Sequence, residues 1–223
     1  MQFYYICTMD IIKQIKNLGN VPFGHDTLLG ILRDYRSPND KISALIAKKH
    51  IIAIKRGFYV LSEKHRNDAV HPGLISNLLH GPSYVSLDYA LAWHGLLPEA
   101  VFETTAVTTK RAKSYDTPLG RFSYVQSFLP LYSIGVLSEE NPDGTAFLMA
   151  SKEKAVCDKI VFTPGLDLYT RQAMLTYLEE SLRMEADELK DFSLEIVEEC
   201  VRAGRKSRQL QALYELIKQI QCS

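Results

Sequence analysis

Apolar positions in the first third of the chain recur at two different spacings, and the switch between them separates helix from strand. Residues 10–17 (DIIKQIKN) carry Ile11, Ile12 and Ile15 on one side of a short helix, which Gly19 ends. Residues 26–35 (DTLLGILRDY) repeat the pattern through Leu28, Leu29, Ile31 and Leu32. A third helix is predicted after Arg36. Ser37 suits its N-cap, Pro38 its first turn, and Asp40 the third place of a weak capping box. Ile42, Leu45 and Ile46 then form its apolar face. Beyond His50 the period drops to two. Ile52 and Ile54 alternate with Ala53 and Lys55, Gly57 permits a tight turn, and residues 58–61 (FYVL) are strand formers.

The polar positions of this stretch point to a partner. Three helices followed by a hairpin within residues 1–65 is the inventory of a winged helix-turn-helix. Lys41, Ala44, Ala47 and Lys48 lie opposite the apolar face of the third helix, with Ser43 beside them. Small alanines let a backbone approach a groove floor, and lysines reach phosphates. Lys49 falls on the apolar side and is expected to snorkel at the helix end. Lys55 and Arg56 sit at the hairpin tip, where a wing meets the sugar-phosphate backbone. The expected DNA-contacting set is therefore Ser37, Asn39, Lys41, Ser43, Ala44 and Lys48 on the helix, with Lys55 and Arg56 on the wing. The competing reading is a protein-interaction module in which the winged helix is structural. Burial of Lys41, Ala44 and Lys48 against a second domain would favour it.

The rest of the chain mixes helix and strand signals. Residues 62–72 are polar and read as a linker. A helix through Leu74, Ile75, Leu78 and Leu79 stops at Gly81-Pro82. Another over residues 85–93 has Ser86 as its cap, Leu87, Ala90 and Leu91 inward, and His94-Gly95 at its end. Strands are predicted over residues 100–110, 121–128, 132–138 and 145–149. Turns fall at residues 116–120 (DTPLG) and at Asn141-Pro142-Asp143-Gly144. Ser151 caps a helix through Ala155, Val156 and Ile160, and helices over 170–183, 186–203 and 205–219 close the chain. The expected fold class is α+β: an N-terminal winged helix-turn-helix (residues 1–65), then a larger α+β domain (residues 66–223) with an antiparallel sheet flanked by helices.

Charge sharpens this division. The 223 residues have no net charge, yet residues 1–65 carry an excess of five positive charges and residues 66–223 an equal negative excess. A basic front and an acidic back fit a nucleic-acid module joined to a domain with another task. Binding is expected to be moderate and salt-sensitive, by a monomer or a weak dimer formed on DNA. Cys7, Cys157, Cys200 and Cys222 are scattered, which argues against zinc and a disulfide framework and for a reducing cytoplasm. The opening MQFYYICTM is apolar but lacks the length and basic start of a signal peptide, and Met9 is an alternative start. No apolar run approaches membrane-spanning length.

Candidate chemistry is sparse. Ser151 and Lys154 match an S-x-x-K pattern, but no SDN or KTG accompanies it, and the serine stands where a helix cap belongs. The histidines are dispersed, with no metal-ligand spacing, P-loop or G-x-G-x-x-G, so neither metal nor cofactor is expected. Asp88, Glu99 and Glu103 read as solvated carboxylates. A non-enzymatic protein follows. Two basic clusters remain. Lys110, Arg111 and Lys113 form a second candidate DNA contact or a solvated loop. Arg202, Arg205, Lys206 and Arg208, around Gly204, suit a helix C-terminus.

Residues 83–126 resemble the core of the AbiEi antitoxin family. The resemblance rests on Ser86-Leu87 with Ala90-Leu91, His94-Gly95-Leu96 with Pro98-Glu99, Val107-Thr108-Thr109-Lys110, and Thr117-Pro118-Leu119-Gly120 with Tyr124. The segment Ala150-Ser151-Lys152-Glu153-Lys154-Ala155 with Asp158 resembles a later family motif, and Arg56-Gly57-Phe58-Tyr59 the end of its winged helix. The resemblance implies a bacterial autorepressor that binds inverted repeats in its own promoter. It also implies an antitoxin of a type IV toxin–antitoxin system, countering a nucleotidyltransferase-like toxin without a stable complex. It carries over no catalytic residues.

Overall fold

A computed structural model of the chain describes residues 10–222; the opening segment with Cys7 and Met9 lies outside them. Residues 10–16 form helix α1, with Gly19 in the left-handed region just beyond. Strand β1 (Phe23–Gly24), helix α2 (His25–Ile31), helix α3 (Pro38–Ala47) and strands β2 (Ile51–Lys55) and β3 (Phe58–Leu61) follow. The strands make an antiparallel sheet in the order β1-β3-β2. Strand alternation divides the hairpin between two cores. Ile51, Tyr59 and Leu61 pack with Ile11, Ile12, Ile15, Leu28, Leu32, Ile42 and Leu45. Ile54 and Val60 belong instead to the core of the larger unit. The small sheet is thus covered on both faces and joins the two units.

The larger unit contains α4 (Pro72–Leu79), β4 (Ser83–Val85), α5 (Leu87–Trp93), β5 (Glu103–Thr108), β6 (Lys113–Thr117), β7 (Gly120–Gln126), α6 (Leu129–Tyr132), β8 (Val136–Glu140) and β9 (Ala146–Ala150). Helices α7 (Lys152–Phe162), α8 (Arg171–Thr176), α9 (Leu194–Arg202) and α10 (Ser207–Gln221) complete it. Its six strands run in the order β6-β7-β5-β4-β9-β8. The sheet is mixed, not antiparallel as expected from the sequence: β5 pairs parallel with β7, and β4 parallel with β9. The reason lies in two short strands. Residues 113–117, read as a connection, form edge strand β6, so the chain passes beyond β7 before turning back into it. Residues 83–85, read as a helix boundary, form β4 at the sheet centre, with every residue buried.

Helix α7 is buried on most sides because it lies between α5 and α9. Its polar residues are paired inside the core. Lys154 Nζ meets Asp158 Oδ1 at 2.8 Å and donates to the Leu131 carbonyl at 2.7 Å. Tyr84 and Ser86 hydroxyls donate to Asp158 Oδ2 at 2.9 and 2.8 Å. The helix predicted over residues 186–203 breaks into a 3-10 turn (Ala186–Asp191) and α9. The break lets the Ser193 N–H donate to buried Glu153 at 2.9 Å, which serves the start of α9.

Candidate nucleic-acid interface

Helix α3 is short, and both ends bear on its outer face. Ser37 is the N-cap by position with Pro38 next, but its side chain makes no capping bond and is exposed. At the other end the His50 N–H donates to the Leu45 carbonyl and the Lys49 N–H to that of Ile46, a Schellman closure. Lys49 occupies its left-handed position at φ +53°. Lys49 is exposed at the helix end, and its backbone closes the helix.

Most of the expected helix residues reach solvent. Ser37, Asn39, Ser43 and Lys48 are exposed, and Ala44 is half-buried. The Ser43 hydroxyl donates to the Asn39 carbonyl at 3.0 Å. Lys41 departs from the expectation of an exposed lysine, being only 7% exposed with Nζ 5.4 Å from the centre of the Tyr35 ring. One turn before Leu45, it lies at the edge of the apolar stripe, and Tyr35 from the preceding turn covers it.

The hairpin tip divides in the same way. Arg56 is exposed, and Gly57 takes φ +75° in the turn. Lys55 does not point outward as expected. A register shift between Ala53 and Lys55 re-aims its side chain, and Nζ donates to the Leu79 carbonyl at the end of α4. It also lies 5.5 Å from the Phe58 and Tyr115 ring centres. Burial, then Lys113 and Lys110, hold its pKa below the ordinary lysine value.

That contact brings the two sequence clusters together. Lys110, Arg111 and Lys113 are exposed beside Lys55, with Lys113 opening β6 instead of lying in a loop. Lys113 Nζ sits 4.7 Å from the Tyr115 ring centre. His80 hydrogen-bonds the Arg111 carbonyl at 3.1 Å and the Tyr115 hydroxyl at 3.3 Å.

Residues not singled out by sequence surround the end of α3. Lys64, in the supposed linker, donates to the Lys48 carbonyl at 2.8 Å. His50 and His65 stack with ring centres 5.0 Å apart and hydrogen-bond at 2.8 Å. Burial, then Lys64, Lys48 and Lys41, hold His50 below the ordinary imidazole pKa; burial, His50, Lys64 and Lys16 do so for His65. The run Lys64-His65-Arg66 was the available signal.

The other candidates separate. Asp88 pairs with Lys159 at 2.6 Å, Glu99 with Arg183 at 2.9 Å and Glu103 with Arg121 at 3.3 Å, so the three carboxylates do not converge. Ser151 caps α7 by accepting from the Lys154 N–H at 3.2 Å, while the Lys154 ammonium belongs to Asp158. Lys206 donates to the Ile160 carbonyl at 2.9 Å and to that of Thr163, closing the end of α7. Arg205 lies 5.4 Å from the Phe162 ring centre. Among the described residues no group of three or more His, Cys, Asp or Glu could hold a metal ion, and no helix is long and apolar enough to cross a membrane. No protein-family model matches the sequence, and the search of curated proteins finds no significant match.

Proposed function

We propose that the protein is a DNA-binding transcriptional regulator whose N-terminal unit is a winged helix-turn-helix with α3 as its recognition helix. The carrying observation is the outer face of α3, where Ser37, Asn39, Ser43 and Lys48 stay exposed while the opposite face of the hairpin is anchored to the larger unit. The order helix, strand, helix, helix, hairpin is that of a winged helix, and Arg56 extends the exposed charge. Lys41 and Lys55 leave the contact set because their ammonium groups are engaged within the protein. Lys110, Arg111 and Lys113 supply a second phosphate contact.

The ligand is double-stranded DNA, with inverted repeats in the protein's own promoter as the target. The reading extends to a cytoplasmic bacterial autorepressor and antitoxin, whose larger, acidic unit counters a nucleotidyltransferase-like toxin without a stable complex. A gel shift against the upstream region should show salt-dependent binding. Lys48→Ala with Arg56→Ala should abolish the shift at physiological salt and, at low salt where binding stays measurable, lower the salt slope by about two, one unit per lost phosphate contact. An unchanged shift removes this surface assignment. The engagement of Lys41 and Lys55 within the fold favours one alternative, a non-enzymatic protein-interaction module; it predicts no shift at any salt concentration.

A further inference from the structure

Among the described residues, buried polar atoms without a hydrogen bond are not spread evenly. Nearly all buried polar groups in folded proteins find a hydrogen-bond partner, because leaving one unmade costs its full desolvation. Here Asn20 Oδ1, Ser62 Oγ and both Nε and Nη1 of Arg66 are buried without one. Asp158 Oδ1 also lacks a hydrogen bond in strict geometry but faces Lys154 Nζ at 2.8 Å, so it is compensated. The unpaired set therefore gathers around one place, the junction between the end of α1 and residues 61–68.

Arg66 is the extreme member. Its side chain is 5% exposed, and its nearest carboxylate, on exposed Glu63, stands 4.0 Å from Nη2. A guanidinium remains protonated at any physiological pH and presents donors in a planar fork that matches an oxyanion. Arg66 lines a cavity of about 220 Å³ together with Lys16, Asn20, His65, Asn67 and Asp68. Of its charged wall residues two are basic, Lys16 and Arg66, and one acidic, Asp68, so the wall is positive on balance. This volume is below the roughly 300 Å³ at which pockets begin to enclose drug-sized ligands. It suits an anionic head group, not a whole nucleotide.

The geometry points to a binding site for a small oxyanion, the phosphate or carboxylate group of a small ligand, held by Arg66 and Lys16 at the junction of the two units. Asn20, in the same wall, is placed to complete it, its unpaired side-chain carbonyl as acceptor from a ligand hydroxyl. Asn20 Nδ2 already spans the units, donating to the Ala69 carbonyl and to Asp143 Oδ2, both at 3.2 Å. A ligand there would tie the orientation of the N-terminal unit to its own concentration.

The test is titration of the full chain with inorganic phosphate, and separately with malonate, at constant ionic strength, read by calorimetry and by Tm. At least one anion should bind saturably and raise Tm. Arg66→Met should weaken that binding about tenfold or more, and Lys16→Gln, at an exposed position, should weaken it less. Phosphate acting alone makes the ligand a phosphate ester; malonate acting alone makes it a carboxylate. No saturable response to either anion, or equal titration of wild type and Arg66→Met, overturns the site. Should Arg66→Met not fold, Lys16→Gln decides: unchanged affinity overturns the site. Displacement of phosphate by duplex DNA overturns the small-ligand assignment in favour of a backbone contact. The titration needs no DNA, so its failure leaves the regulator reading untouched, and a failed gel shift leaves the cavity untouched.

Discussion

The two units treat their polar groups differently. In the larger unit they are closed off. Lys154 and Asp158 satisfy each other inside the core, Ser151 and Thr170 cap their helices at 3.2 and 3.1 Å, and Lys206 covers the end of α7. Helix α5 ends in a Schellman closure with glycine, Gly95, at the left-handed position. In the N-terminal unit and its junction the same devices stay open. Arg66 is buried with Nε and Nη1 unpaired and its nearest carboxylate, on exposed Glu63, 4.0 Å away, Ser37 caps nothing, and the closure of α3 places a lysine where glycine belongs. Three residues run against this contrast: in the larger unit Arg183 and Lys206 hold φ +53° and +50°, and Leu87 holds φ +58° where β4 turns into α5. There the Thr105 hydroxyl donates to the Ser86 carbonyl at 2.6 Å and accepts from the Tyr89 N–H at 3.1 Å, which fixes the turn from outside. Proteins accept unsatisfied groups and local strain where a surface must meet something else. Among the described residues it is the unpaired buried groups, not the strain, that gather at the junction of the N-terminal unit.

The two buried cations give the widest separation. Lys154→Met leaves Asp158 buried and uncompensated and should cost about 3–5 kcal/mol in urea unfolding. Arg66→Met removes a charge whose nearest carboxylate, on exposed Glu63, is 4.0 Å away, so in phosphate-free buffer it should stay within about 1 kcal/mol of wild type or be more stable. Equal losses would mean that Arg66 has a partner in the folded state, and the contrast would collapse. The caps come next. Ser151→Ala should lose about 1 kcal/mol and Ser37→Ala only a few tenths. The reverse ranking would show that Ser37 caps α3 in solution.

The helix ends test the same idea with opposite signs. Lys49→Gly should gain about 0.5–1 kcal/mol by relieving the left-handed backbone, whereas Gly95→Ala should lose a similar amount. A loss at Lys49 would mean that its side chain stabilises the fold. The smallest effect is a pH dependence. Burial, helped at His50 and His65 by nearby lysines, depresses the pKa of both; burial depresses His71 against the pull of Asp143. A base depressed in the folded state takes up its proton more readily when unfolded. Its stabilising contribution is therefore present above about pH 6.5 and lost as pH falls toward the folded value. Tm should fall on acidification through that window, and His50→Gln with His65→Gln should flatten the fall. A Tm profile identical in the double variant would show that the pair is not depressed.

Much of this architecture was legible in the chain because it is local. The apolar spacing of Ile11, Ile12 and Ile15, the Ser37-Pro38 start, the change of period after His50 and the Asn141–Gly144 turn each depend on neighbours a few residues apart. The exposure of Ser43, Lys48 and Arg56 followed from the same patterns. Tertiary structure alone decided three things. It put the three-residue strand β4 at the centre of a mixed sheet, since pairing with β9 joins Val85 to Met149 far along the chain. It turned Lys41 under Tyr35 and Lys55 onto the Leu79 carbonyl, because the environment of a side chain depends on what packs over it. And it buried Arg66 with two of its donor nitrogens unpaired. A charge in a polar linker is unremarkable in sequence; its cost, and so its meaning, exists only once folding removes the water around it.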